Sequence, residues 1–319
     1  AEIWRGPFLE SVNQGHAVIC DDSGQIVEAW GNPDQVILPR SSAKMIQALP
    51  LITSGAADAH HLTSEHLALA CASHHAAAIH TDRVGAWLDT LGLTDDAFRC
   101  GPQTPNDDTA REALLRAHEE PCQIHNNCSG KHAGFLTLTQ HLKAGPEYVD
   151  PDHPVQRACL EAVERTTLET SPCHAIVGCS APNYACTLHG MARAMAHFAA
   201  APTGSAEARL HEAMRLHPDL VAGETGTCTE LMRAMDGKVA LKTGAEGFYI
   251  AILPEQRKGI ALKAQCGTTR AAECAIAALL VKLGVLDANH PATRKRMNAP
   301  IRNWRGIETG TLKPAAELL

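Results

Sequence analysis

Arg40-Ser41-Ser42-Ala43-Lys44 opens a helix-like run, and a spacing of three puts Ser41 and Lys44 on one helical face within side-chain reach. Such a pair offers a hydroxyl nucleophile with an amine base and needs no histidine. An ordinary lysine is protonated at neutral pH, so burial or a neighbouring cation must lower its pKa before it can accept the serine proton. Taken alone, the same four residues are better described as a helix-capping serine and a surface lysine.

A second motif, Lys242-Thr243-Gly244, lies far downstream at the end of a strand-like segment. Ser-x-x-Lys followed by Lys-Thr-Gly is the order used by serine β-lactamases and penicillin-binding enzymes. Their third element, Ser-Asp-Asn, is absent. Between the two motifs stands Cys71-Ala72-Ser73-His74-His75, which supplies a serine after a helix but no asparagine and so argues against a β-lactam enzyme proper. Ser73 also reads as an ordinary residue at a helix C-terminus.

Asn126-Asn127-Cys128-Ser129-Gly130-Lys131-His132 and, later, Gly178-Cys179-Ser180-Ala181-Pro182-Asn183 bring two thiols together with nitrogen donors. Soft sulfur and borderline nitrogen suit zinc. The familiar Cys-x-x-Cys pair is missing, so spacing by itself favours buried free cysteines over a metal site in these segments. The remaining histidines show no metal-ligand spacing.

These groups must be positioned by a chain of 319 residues, long enough to bury a core without disulfides. Apolar residues make up 45% and aromatics only 4%, which predicts an aliphatic, alanine-rich interior of packed helices beside a modest sheet. A net charge of -7 without any basic run argues against a nucleic-acid partner. No stretch reaches the roughly 18 apolar residues of a membrane span, and Ala1-Glu2-Ile3-Trp4-Arg5 lacks the pattern of a secretion signal. Twelve cysteines, several inside apolar runs such as Leu67-Ala68-Leu69-Ala70-Cys71, read as reduced small hydrophobes and point to a cytoplasmic location.

Local patterns predict the supporting elements. Segments 16–20 and 25–30 flank Asp21-Asp22-Ser23-Gly24 as a β-hairpin. Helix starts are expected at Thr63-Ser64-Glu65, Thr81-Asp82 and Asp107-Asp108-Thr109. Strands are expected at 174–177, 238–242, 248–253 and 259–263, followed by a helix from about 269 to 283. With no repeat and no linker, a single catalytic unit is expected, its terminal strands pairing into one antiparallel sheet.

Along essentially its whole length the chain resembles the rhizobial-type L-asparaginases, the asparaginase II family, which share the glutaminase and serine β-lactamase fold. The carriers are Pro39 to Lys44, Cys71 to His74, Arg99-Cys100-Gly101, Asn127 to His132, Asp152-His153-Pro154, Gly178 to Asn183, Val221-Ala222-Gly223-Glu224 and Lys242 to Gly247. The resemblance implies an α+β fold in one catalytic domain over residues 1–319. Its antiparallel sheet would come from the terminal segments, about 1–40 and 237–319, with a mostly helical insertion at about 41–236. It implies two Ser-Lys tandems, Ser41 with Lys44 and Ser73 with Lys242, and hydrolysis of L-asparagine to L-aspartate and ammonia with Ser41 as nucleophile. It implies a zinc site whose ligands match Cys128, Lys131 and Cys179, and a homodimer. Arg40 and His132 are the candidates for holding the substrate, and Cys228 matches a position near the pocket. Val177 stands where the family often has aspartate, and Gln103 and Asn13 where it often has histidine. Two other readings stay open. One is a glutaminase or another serine hydrolase of this fold; the other is a zinc-dependent amino-acid-binding protein without turnover.

Overall fold

The computed structural model describes residues 1–319 as two compact units. One comprises residues 1–37, 187–200 and 230–319; the other comprises 38–186 and 201–229.

The first unit is built on antiparallel strands β1 (Glu2–Arg5), β2 (Phe8–Val12), β3 (Gly15–Cys20), β4 (Ile26–Trp30), β5 (Ala240–Gly244), β6 (Phe248–Leu253), β7 (Lys258–Ala264), β8 (Ala299–Arg302) and β9 (Glu308–Lys313). A five-stranded sheet runs β4-β3-β7-β6-β5, with Ile250 opposite Lys242 on one side and Ala261 on the other. All six residues of β6 are buried, the continuous apolar pattern expected of a strand covered on both faces. Helix Leu188–Ala200 covers one face: a Cβ on Gly259 would lie 2.1 Å from Ala196 N, so only glycine lets that helix approach β7 so closely. Three residues along the strand, on the opposite face by strand alternation, Leu262 lines a cavity with Ala271 and Ala275 of helix Thr269–Lys282.

The expected single sheet is in fact two. Strands β8-β9-β1-β2 form a separate sheet, in which all five residues of β2 are exposed and β8 alternates half-buried with exposed.

The second unit is helical, and its centre is α1 (Lys44–Thr53), where every residue from Lys44 to Ile52 is buried. Around it lie α2 (Ser64–Ala70), α3 (Ser129–His141), α4 (Pro154–Thr167) and α5 (Ala206–Leu216). A capping box between Thr63 and His66 starts α2, and Asp107 caps its helix by accepting from Ala110 N. The helix expected at Thr81 instead begins at Ala78, and the Thr81 hydroxyl turns back to the Ala77 carbonyl four residues earlier, as interior threonines do. None of the twelve cysteines is in a disulfide, and no helix is long and apolar enough to cross a membrane.

Candidate active site

Ser41 lies in a 3-10 turn, Arg40–Ala43, that leads directly into α1. It is half-buried, and neither its hydroxyl nor its backbone N–H has a hydrogen-bond partner. The turn is pinned by Ser42, whose hydroxyl donates to Pro39 O at 2.6 Å. Arg40, just before Ser41, has φ 53°, a left-handed backbone that costs an L-residue about 1–2 kcal/mol.

Lys44 follows at the start of α1 with 1% of its surface exposed. Its Nζ lies in hydrogen-bonding contact with Ala72 O, with Ser73 Oγ at 3.0 Å and with Cys128 Sγ at 3.0 Å. Spacing alone pointed Lys44 at Ser41; in the structure its hydrogen bonds go to Ser73 and Cys128.

Ser73 and Cys128 meet there because α2 and the start of α3 cross at Gly130, where a Cβ would fall 2.5 Å from Leu69 O. The chain leaving α2 is then fastened to both its neighbours: Ser73 N donates to Val221 O at 2.9 Å and His74 N to Asn127 O at 3.1 Å. His74 is fully buried, and its tautomer follows from its partners. Its Nδ1 accepts from Ala76 N, so Nε2 carries the proton and donates to Ser129 Oγ at 2.9 Å, while that hydroxyl passes its own proton to Ile124 O. Burial, with His80 stacked against it at 4.8 Å, holds His74 neutral by pushing its pKa well below the usual histidine range. Gln103, in a family histidine position, also serves this segment: its Oε1 accepts from Asn127 N at 3.1 Å.

The residues expected to hold a metal also come together. Lys131 Nζ donates to Cys179 Sγ at 3.0 Å, and Cys128 Sγ donates to Asn127 Oδ1 at 2.9 Å. Hydrogen bonding from Cys128 and the charge of Lys131 push the Cys179 thiol far down. The neighbouring Cys179, together with burial, pushes Cys128 up. Burial by itself would lower Lys131, but the neighbouring Cys179 and Cys128 outweigh it and raise its pKa. His132, with no exposed surface, binds Tyr148 Oη through Nδ1 at 2.9 Å, and burial lowers its pKa to about 4. Its Nε2 is buried without a well-aligned partner, yet His132 and Cys179 lie close enough to shift each other's titration.

Two thiols, an amine and a buried imidazole nitrogen are donor types that zinc takes, but no group of three His, Cys, Asp or Glu side chains here could hold a metal ion as placed. Sequence reasoning expected His132 to face the substrate; in the structure it has no exposed surface and lies beside Cys179. Arg40 is half-buried, and its guanidinium makes no ion pair or hydrogen bond.

Lys242 belongs to the other unit. It sits on β5 with no exposed surface, and its Nζ donates to Thr243 O at 3.0 Å. Cys228 is likewise buried. Sequence reasoning gave Asn183 no role, although it lay inside a quoted motif. The structure shows it 2% exposed and bonded to both backbone polar groups of Arg40.

A family model described as L-asparaginase II matches residues 1–314. No curated protein matches. Among solved structures, the chain is similar to a provisionally assigned β-lactamase from Bacteroides dorei DSM 17855, at 11% identity and a TM-score of 0.44, over 78% of this chain and 84% of that one. A β-lactamase from Mycobacterium bovis is 11% identical with a TM-score of 0.39, over 85% and 95% of the two chains. An octameric penicillin-binding protein homologue from Pyrococcus abyssi is 11% identical with a TM-score of 0.36, over 92% and 80%. At these scores the three likenesses carry no argument about fold or chemistry.

Proposed function

The chain belongs to the L-asparaginase II family, and from that membership we propose that it hydrolyses the side-chain amide of L-asparagine through an acyl-enzyme on Ser41. The observation that carries this reading is the pairing of an unpartnered, half-buried Ser41 hydroxyl with a fully enclosed lysine, three residues on, whose amine is held against a second serine. A purely structural lysine is rarely buried against a thiol and a hydroxyl with no carboxylate to match it.

In the proposed reaction Ser41 Oγ attacks the amide carbon and Lys44 takes the hydroxyl proton. The developing oxyanion needs preorganised donors, and the free N–H of Ser41 itself is one. Ser73, hydrogen-bonded to Lys44, would pass the proton toward the leaving ammonia, and water would then release L-aspartate. Lys242 is assigned to the same proton chemistry by resemblance alone. The unpaired Arg40 guanidinium is suited to the substrate α-carboxylate.

Zinc, held by Cys128, Lys131 and Cys179, would supply a fixed positive charge beside the substrate. His132 would support Cys179, and Lys131 and Cys128 would both give up protons for the ion to bind. A homodimer in the cytoplasm completes the proposal, on resemblance and cysteine usage.

The test is ammonia release from L-asparagine and L-glutamine by the wild type, Ser41→Ala and Lys242→Met, with and without added zinc. Rapid release from asparagine that is lost in both variants supports the proposal. Release from glutamine in its place would favour the glutaminase reading, and none from either amide under any metal condition would sink hydrolysis altogether.

A further inference from the structure

The residue before the nucleophile carries a backbone conformation that its own side chain does nothing to stabilise. At φ 53° an L-residue brings its Cβ against the following carbonyl, and arginine lacks the short polar side chain with which asparagine or aspartate relieves that clash. Such a conformation persists only where its surroundings over-determine it.

Beside the backbone bonds of the turn and the Ser42 hydroxyl on Pro39 O, the surroundings contribute one amide. Asn183 Oδ1 accepts from Arg40 N at 2.8 Å, and its Nδ2 donates to Arg40 O at 3.3 Å, so a single side chain engages the groups on both sides of the Arg40 Cα. Asn183 sits on a short strand, Pro182–Tyr184, paired with His174–Ile176. That strand is tied to α1 in turn, because Gln47 Nε2 donates to Pro182 O at 3.2 Å. The clamp therefore has a fixed base. Rotation about φ of Arg40 swings everything that follows it relative to Pro39, starting with Ser41.

We propose that Asn183 is a positioning residue: its amide, bonded to both backbone groups of Arg40, holds the left-handed turn that aims Ser41. The inference rests on the reading of Ser41 as the nucleophile. Asn183 touches no reacting atom.

The test compares loss of the clamp in two backgrounds that both lack the guanidinium. Alanine at 40 keeps the Cβ clash and glycine removes it, so Asn183→Ala is measured in Arg40→Ala and in Arg40→Gly. With alanine at 40, losing the clamp should lower kcat about tenfold while KM moves less than about twofold, and with glycine at 40 the loss should shrink to within about threefold. Asn183→Asp, which still accepts from Arg40 N but cannot donate to Arg40 O, should fall between and show the same relief by glycine. Equal losses in the two backgrounds would overturn the proposal, as would failure of Asn183→Ala to fold in both.

Urea unfolding midpoints of the same four proteins provide a readout that does not depend on activity. Should Ser41→Ala retain full turnover, the nucleophile reading fails by itself. The clamp is then judged on whether Asn183→Ala lowers the midpoint more with alanine at 40 than with glycine.

Discussion

His211 offers a sharp test of how burial couples this fold to pH. It lies on α5 with 3% of its surface exposed, and its Nδ1 is buried without a partner. Burial first, and then the nearby Arg215 charge, lower its pKa from 6.5 to about 4. A histidine whose folded pKa is depressed contributes nothing unfavourable above the unfolded value. Below it, the unfolded chain takes up a proton that the folded chain refuses, so stability falls as pH drops from 6.5 toward 4. Each pH unit in that window costs about 1.4 kcal/mol, so by about pH 4.5 the group costs about 2.5 kcal/mol relative to pH 7. His211→Leu removes that titration and also an unsatisfied buried nitrogen, the latter worth about 1–3 kcal/mol at any pH. The variant should therefore be at least as stable as the wild type at pH 7, and its advantage should grow by about 2.5 kcal/mol at pH 4.5. Urea unfolding at both pH values measures this directly. An advantage that grows by less than about 1 kcal/mol would mean that His211 is solvated or can charge in place, and would refute the reasoning.

Two further outcomes follow from the site. Gly130→Ala gains helix propensity but forces a Cβ to within 2.5 Å of the Leu69 carbonyl, a backbone contact that only separation of α2 and α3 can relieve. A net loss of about 1–3 kcal/mol is expected, with a fall of several degrees in Tm and a drop in kcat as Ser73 and Cys128 part; an unchanged Tm would show that the crossing is looser than drawn. For the metal, the wild-type protein should bind about one zinc per chain and Cys179→Ser far less, with affinity that rises with pH because Lys131 and Cys128 must lose protons. Chelator competition at several pH values reads both effects, and an affinity independent of pH would exclude this ligand set.

Local pattern sufficed for what depends on near neighbours. The hairpin of β3 and β4 follows from two β-rich runs around a polar turn, the start of α2 from a threonine before an apolar stripe, and helix Thr269–Lys282 from its 3.6-residue period. The α+β class and its antiparallel strands were legible for the same reason, and the ordered motifs led to the family that matches residues 1–314. Separation of the terminal strands into two sheets was not legible, because it turns on which faces meet water once the helices are in place. Nor were the partners of Lys44. A spacing of three named Ser41, but it could not show that Gly130 lets α3 cross α2 and so brings Ser73 and Cys128 to the amine. Asn183 stands 143 positions from Arg40, and nothing in either neighbourhood announces a left-handed arginine. Sequence alone determined the residue types and the short-range geometry of this protein. The folded chain decided which buried polar groups must satisfy one another, because hydrogen-bond partners far apart in sequence are selected only when packing excludes water from both.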